Sequence, residues 1–311
     1  MREAAIETPV ENNRLVQLAV RGLLGVVCLA FVALGIAALL SGPSAVKREA
    51  TVIARVVKEK VAAASCSAPG PSPAAADNAR TLNGEVLSPF GAQENGWAVY
   101  APLIAHEIGA PCGPETPGFA AAFAKWEVAH GRAATGRIDA ASLSTLGTVW
   151  LLRRPFVLAM KFGCPASPAE SALAKADLAE SFGGKTILAR PGALAAYRSM
   201  RAAALSDLGG APDLLRIASA FRGPAEEAAK CADGGCGGPA RAHCSAHRTG
   251  LAFDFDLGVR PGGPRFSTAN DDRLFLVGTP AYRWLVNNAG RFGFVPYPYE
   301  PWHWEWTGEQ V

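Results

Sequence analysis

"CSAHRTGLAFDFDLG", residues 244–258, decides how the rest of the chain is read. Its second half alternates. Leu251, Phe253, Phe255 and Leu257 fall on one side of an extended chain, while Ala252, Asp254 and Asp256 fall on the other. A period of two predicts a strand with one apolar, buried face and one face bearing carboxylates. The first half is turn-prone, and Gly250 bends the chain into the strand. His247 stands in that turn, seven residues before Asp254. A loop imidazole and a strand carboxylate at this spacing converge on one cation from two directions, and zinc accepts both donor types at about 2.0–2.2 Å. Alternation alone does not choose between Asp254 and Asp256.

Upstream, "GALAAYRSMRAAALSDLGG" (192–210) predicts a helix with a glycine stop, and "PDLLRIASAFRG" (212–223) a strand over 214–221. A short helix over 224–230 and a Gly/Cys-rich loop over 231–243 complete the approach. Downstream, "TPAYRWLVNNAGRFGF" (279–294) predicts a helix closed by glycine, and "YPYEPWHWEWTG" (297–308) a final strand. Helix, strand, strand, helix, strand predicts an α+β fold, an antiparallel sheet with helices packed on it. His303 is the natural third donor, and three protein ligands leave a fourth position for water, the arrangement of a catalytic zinc. In an ideal strand Glu300 and His303, three apart, point to opposite faces. For both to reach one ion, the chain must bend near Pro301.

These stretches resemble a known family. "SAHRTGLAFD" (245–254) matches the S-x-H-x-x-G-x-A-x-D pattern of the zinc D-alanyl-D-alanine carboxypeptidases of the VanY type, members of the LAS-type metallopeptidases, and "EPWHW" (300–304) matches their second signature. "SAFRG" (219–223) resembles the S-x-Y-R segment before the first signature, with Phe221 in place of tyrosine, and "VNNAGRFGF" (286–294) resembles the family's helix. The resemblance covers roughly residues 190–308. It implies that His247, Asp254 and His303 bind one Zn2+ ion, that Glu300 is the general base, and that Arg222 grips the substrate's terminal carboxylate while Ser245 helps to hold it. It also picks Asp254 over Asp256. Five residues after the arginine the family often has glutamine, and here stands Glu227, which alters substrate contact. The implied activity is removal of the C-terminal D-alanine from peptidoglycan stem peptides. A cross-link endopeptidase and a non-catalytic wall-binding protein that keeps the fold are the alternatives.

The 311 residues are half hydrophobic and 18% charged, with a net charge of +3 and no long basic run, which gives no footprint for nucleic acid. Gly22–Leu40 holds 19 residues without a charge, enough to span a bilayer as a helix. It is longer than the usual apolar region of a signal peptide, although "GPSA" (42–45) leaves cleavage open. Arginines and lysines flank both ends and do not orient it. Orientation follows from the expected substrate: a single-pass anchor in the inner membrane with the catalytic part extracytoplasmic. The expected layout is a tail (1–21), an anchor (22–40), a stalk and Pro/Ala-rich linker (41–90), a small helical module (91–152) and a peptidase domain (153–311). Within the module, "GRIDAASLSTL" (136–146) resembles the three-helix peptidoglycan-binding module, with Asp139 at an N-cap.

Six cysteines lie beyond the anchor, at 66, 112, 164, 231, 236 and 244, an even number that suits disulfides in an oxidising compartment. Their pairing is open from sequence. Two rival metal readings also remain open at this point. His243 and His247 would form a ligand pair if "HCSAH" were helical, and Cys231, Cys236 and Cys244 could hold a structural zinc with a histidine. His106 and His130 read as ordinary histidines of the helical segment.

Overall fold

A computed structural model describes residues 66–67, 72–211, 213–240 and 243–310. The tail, the apolar segment 22–40 and most of the stalk lie outside the described residues. Among the described residues no helix is long and apolar enough to cross a membrane.

Helix α1 (Ser72–Thr81) stands where composition predicts linker. The correction has a physical cause: the alanines that look linker-like are strong helix formers. Ala74 and Ala75 bury against Ala120, and the side chain of the fully buried Asn78 donates to Gly136 O at 2.9 Å and accepts from Ile138 N at 2.8 Å. A short hairpin, β1 (Val86–Leu87) and β2 (Glu94–Asn95), leads to α2 (Ala101–Glu107), α3 (Pro117–Ala129) and α4 (Ala140–Leu151). Thr116 caps α3, and Asp139 with Ser142 forms a reciprocal capping box on α4, as the sequence predicts for Asp139.

Then follow α5 (Pro155–Ala159), the hairpin β3 (Ala174–Lys175) and β4 (Leu188–Ala189), and α6 (Pro191–Asp207). Next come β5 (Ile217–Ser219), α7 (Pro224–Gly234), β6 (Ala252–Phe255), α8 (Asn270–Gly278), α9 (Pro280–Asn288), β7 (Phe294–Pro296) and β8 (His303–Trp306). Strands β5–β8 form an antiparallel sheet in the order β5-β6-β8-β7, so the fold is α+β with helices on antiparallel sheets. β5 is shorter than the apolar run predicts, because Leu215 adopts a positive φ of 55° and breaks the extended chain. α7 in turn runs on to Gly234, where the sequence predicts loop from 231.

One sheet face is the core. Phe253 and Phe255 stack on Tyr197 of α6 at 5.9 and 5.6 Å, Phe294 meets both edge-on, and Trp304 packs against Tyr282 of α9. The opposite face carries Asp254, His303 and Glu305. The predicted alternation is therefore realised.

Residues 69–311 form one compact unit, which holds both the helical segment before 152 and the segment after it. A buried polar knot ties the two sides together. The Arg273 guanidinium of α8 donates to Glu94 at 2.7 Å and to the Tyr100 hydroxyl at 2.8 Å, and it lies 4.5 Å over the Tyr299 ring. Arg273 is 1% exposed and Glu94 is 5% exposed, so neither charge has water as an alternative partner. Arg273→Met is expected to strand the Glu94 carboxylate and to cost ~3–5 kcal/mol, read as a lower urea midpoint. Arg273→Met with Glu94→Leu is expected to recover most of that loss.

Candidate metal centre and cleft

Each donor is positioned by a different local device. Asp254 and His303 are direct cross-strand partners in the β6–β8 ladder, where opposite side chains on one face approach most closely. His303 Nδ1 lies 3.0 Å from Asp254 Oδ1. His247 arrives from a 3-10 turn (Ala246–Thr249) capped by the Ser245 hydroxyl. Gly250 ends that turn with φ +73°, and a Cβ there would meet Leu173 at 3.1 Å and Arg190 at 3.3 Å. The chain therefore needs glycine to swing from the turn into β6. His247 Nδ1 bonds Ala220 O at 2.6 Å, which makes it the protonated nitrogen, and aims Nε2 at Asp254 Oδ2, 3.1 Å away.

His247 Nε2, an Asp254 oxygen and His303 Nδ1 thus converge. The three donor atoms lie within 4.8 Å of one another and form a buried group that can hold a metal ion. Of the rival sequence readings, the helical His243/His247 pair fails because the chain is extended at Ser245 and only Ala246–Thr249 turns, as a 3-10 helix. Cys231, Cys236 and His243 also lie close enough together to hold a metal ion, but here Cys231 is bridged to Cys236 and Cys244 to Cys164, and bridged sulfurs offer no thiolate. His130 packs on Trp126 at 4.0 Å, an ordinary structural contact.

Glu300 joins the group through a tight turn. The His303 amide donates to Glu300 O at 2.9 Å, with Pro301 and Trp302 at the bend. The bend expected near Pro301 is present, and it brings Glu300 to the same cleft as Asp254. That cleft, about 370 Å³, is also lined by Arg222, Ser245, Lys230 and Trp302. The Arg222 guanidinium lies 3.3 Å from the hydroxyls of Ser245 and Ser219, and its nearest carboxylate is Glu226 at 3.8 Å. It thus lacks a close anionic partner. The sequence-predicted residues His247, Asp254, His303, Glu300, Arg222 and Ser245 are all brought together.

Electrostatics follow the geometry. Burial raises the Glu300 carboxyl to about 7, aided by the Asp254 charge and opposed by His303. Burial depresses His247, only partly offset by Asp254. For Asp254 burial pushes upward, but two facing imidazoles outweigh it and hold the carboxyl far below its usual range. For His303 burial pulls downward, yet the contacts to Asp254 and Glu305 outweigh it and raise the ring to about 9.

Sequence reasoning missed some residues around the site. Glu227, set apart as a departure from the family, is buried. It accepts from the Ser245 amide and pairs with Arg248 at 2.6 Å, so it braces the turn that carries His247. Glu305, which reads as an ordinary surface acid, is 1% exposed and pairs with Arg154. Its spacing from His303, two residues along one strand, was the available signal. No family model matches the chain, and neither does any curated protein.

Asp256 points elsewhere, accepting from Gly258 N at 3.1 Å and pairing with Arg265. His247→Ala and Asp254→Asn are therefore expected to lose stoichiometric metal, and Asp256→Asn to retain it, as measured by elemental analysis after dialysis.

Proposed function

We propose that the protein is a zinc metallopeptidase of the VanY type, with the LAS-type fold, that removes the C-terminal D-alanine from peptidoglycan stem peptides. One observation carries this reading: two imidazole nitrogens and a carboxylate oxygen converge at a cleft that also presents a guanidinium without a close anionic partner and a carboxyl poised near neutrality. The donor set fits zinc, which favours nitrogen and oxygen ligands and, with three protein donors, retains a position for water. The order of "SAHRTGLAFD" and "EPWHW" in the chain supports the same assignment.

His247, Asp254 and His303 would hold the ion. When bound there, zinc supplies Lewis acidity, lowering the pKa of a coordinated water and polarising a carbonyl. Glu300, with its pKa near 7, accepts the proton of the attacking water and returns it to the departing amine. Arg222 offers two parallel N–H donors to a terminal carboxylate, which selects a free C-terminus and fixes the scissile bond in register. Ser245 orients the Arg222 fork through its hydroxyl and lines the same wall. Trp302, beside Glu300, supplies an apolar surface against the peptide.

The described disulfides, Cys164–Cys244 and Cys231–Cys236, support an oxidising, extracytoplasmic setting for the catalytic part. Together with the apolar segment 22–40 they favour a single-pass protein of the inner membrane whose substrate lies on the outer side. The helical segment 91–152, which resembles a peptidoglycan-binding module, would then lie on the side where wall polymer is found.

Glu300→Ala is expected to keep its zinc and to lose roughly 10²–10⁴-fold in kcat, measured as D-alanine released from a D-Ala-D-Ala-terminated pentapeptide. Loss of zinc as well would show that Glu300 is misassigned. Wild-type cleavage confined to cross-linked dimers would replace the carboxypeptidase reading with the endopeptidase one. Arg222→Gln is expected to lose a charge-assisted contact of ~1.5–3 kcal/mol, roughly 10–100-fold in kcat/KM. A substrate whose C-terminus is amidated should show little further loss in that variant.

A further inference from the structure

The face of β8 that presents His303 continues, two residues on, to Glu305, which stands on the outer side of the imidazole. His303 Nδ1 is engaged with Asp254 at 3.0 Å, whereas Nε2 is buried and makes no hydrogen bond. The nearest acceptor is Glu305 Oε1, 3.4 Å away. That carboxylate is itself held from the far side. The Arg154 guanidinium meets Oε1 through both Nε and a terminal nitrogen at 2.6 Å, and the Phe156 amide donates to Oε2 at 3.1 Å. Both side chains are buried, Arg154 at 8% and Glu305 at 1% exposure.

A buried ion pair is poor evidence for stability by itself, since desolvation of two charges offsets most of their attraction. Here the pair also fixes an ionised oxygen 3.4 Å from the ring nitrogen that has no shorter polar contact. A ligating histidine commonly donates its second N–H to such a carboxylate, which sets the tautomer and makes the other nitrogen a stronger donor. Arg154 further packs its guanidinium 4.0 Å over the Tyr297 ring, and that ring meets His303 edge-on at 5.9 Å. The imidazole is therefore walled by the same cluster that holds the carboxylate.

We infer that Glu305, held by Arg154 and the Phe156 amide, is a positioning residue for the metal centre: it takes the His303 Nε2 proton as a hydrogen bond, keeps Nδ1 free to ligate, and so sets the affinity for the cation. The inference rests on the reading of His247, Asp254 and His303 as metal ligands. It places part of the site's support in the segment after α4, about 150 residues from the ligand it serves.

The test uses the full chain and Zn2+ alone, with affinity read by competition against a fluorescent chelator. The double variant Arg154→Met/Glu305→Met removes both charges together, so no unpaired charge is left in the interior. It is expected to unfold near the wild-type temperature yet bind zinc roughly 10–100-fold more weakly. Glu305→Gln is expected to weaken zinc binding in the same direction. In zinc-loaded wild type two downfield, exchange-protected imidazole N–H resonances are expected, one from His247 Nδ1–H against Ala220 O and one from His303 Nε2–H, and only the second should be absent from the double variant. A folded double variant with wild-type zinc affinity overturns the inference while leaving the metal centre intact. A wild-type chain that binds no zinc overturns both.

Discussion

The pairing of Asp254 with His303 across β6 and β8 is the constraint on which the rest depends. Once these two positions face each other, the neighbouring pairs Phe253–Trp304 and Ala252–Glu305 are fixed as well. The aromatic residues then fall on the core face beneath α6 and α9, and the acids and the imidazole fall on the other. A slip of one residue would exchange the faces, putting Phe253 in the site and Asp254 in the core. The cost of withdrawing those rings from the core and burying Asp254 in their place is what holds the register, so hydrophobic packing on one side specifies polar geometry on the other.

That polar side is dense in buried charge. Asp254 sits between two imidazoles, and His303 sits between two carboxylates, one of them neutralised by Arg154. In a low-dielectric interior such a chain is tolerable only where each charge has an opposite neighbour. Glu300 is the exception, since it lies among acids as well as bases, and burial leaves its carboxyl near neutrality. Arg222 is the other exception, a guanidinium with hydroxyls at 3.3 Å and its nearest carboxylate, Glu226, at 3.8 Å. Both exceptions line the cleft, where an incoming ligand can supply what the protein does not.

The sequence made the donors legible because each carries a local signature. His247 precedes a glycine turn, Asp254 lies on an alternating strand, and His303 follows a proline that forces a bend. The α+β class followed from element order. What stayed hidden depended on contacts between distant segments. The spacing of Glu305 from His303 puts the two on one face of the strand, but its burial and ion pair arise only when Arg154 is brought to it by the path of the chain after α4. The helix over 72–81 was hidden for a related reason: its alanines pack only because Ala120 stands opposite and Asn78 finds the backbone of 136–138. The cysteine pairing was likewise a matter of tertiary path, since Cys164 and Cys244 are 80 residues apart.

Residues 154–164 touch the centre twice. At one end Arg154 and the Phe156 amide hold the strand that bears His303, and at the other Cys164 is bonded to Cys244, three residues before His247. The ionic grip and the covalent bond share one short stretch of chain as a common abutment. A substitution in that stretch would therefore disturb the supports of the loop-borne and the strand-borne histidine together.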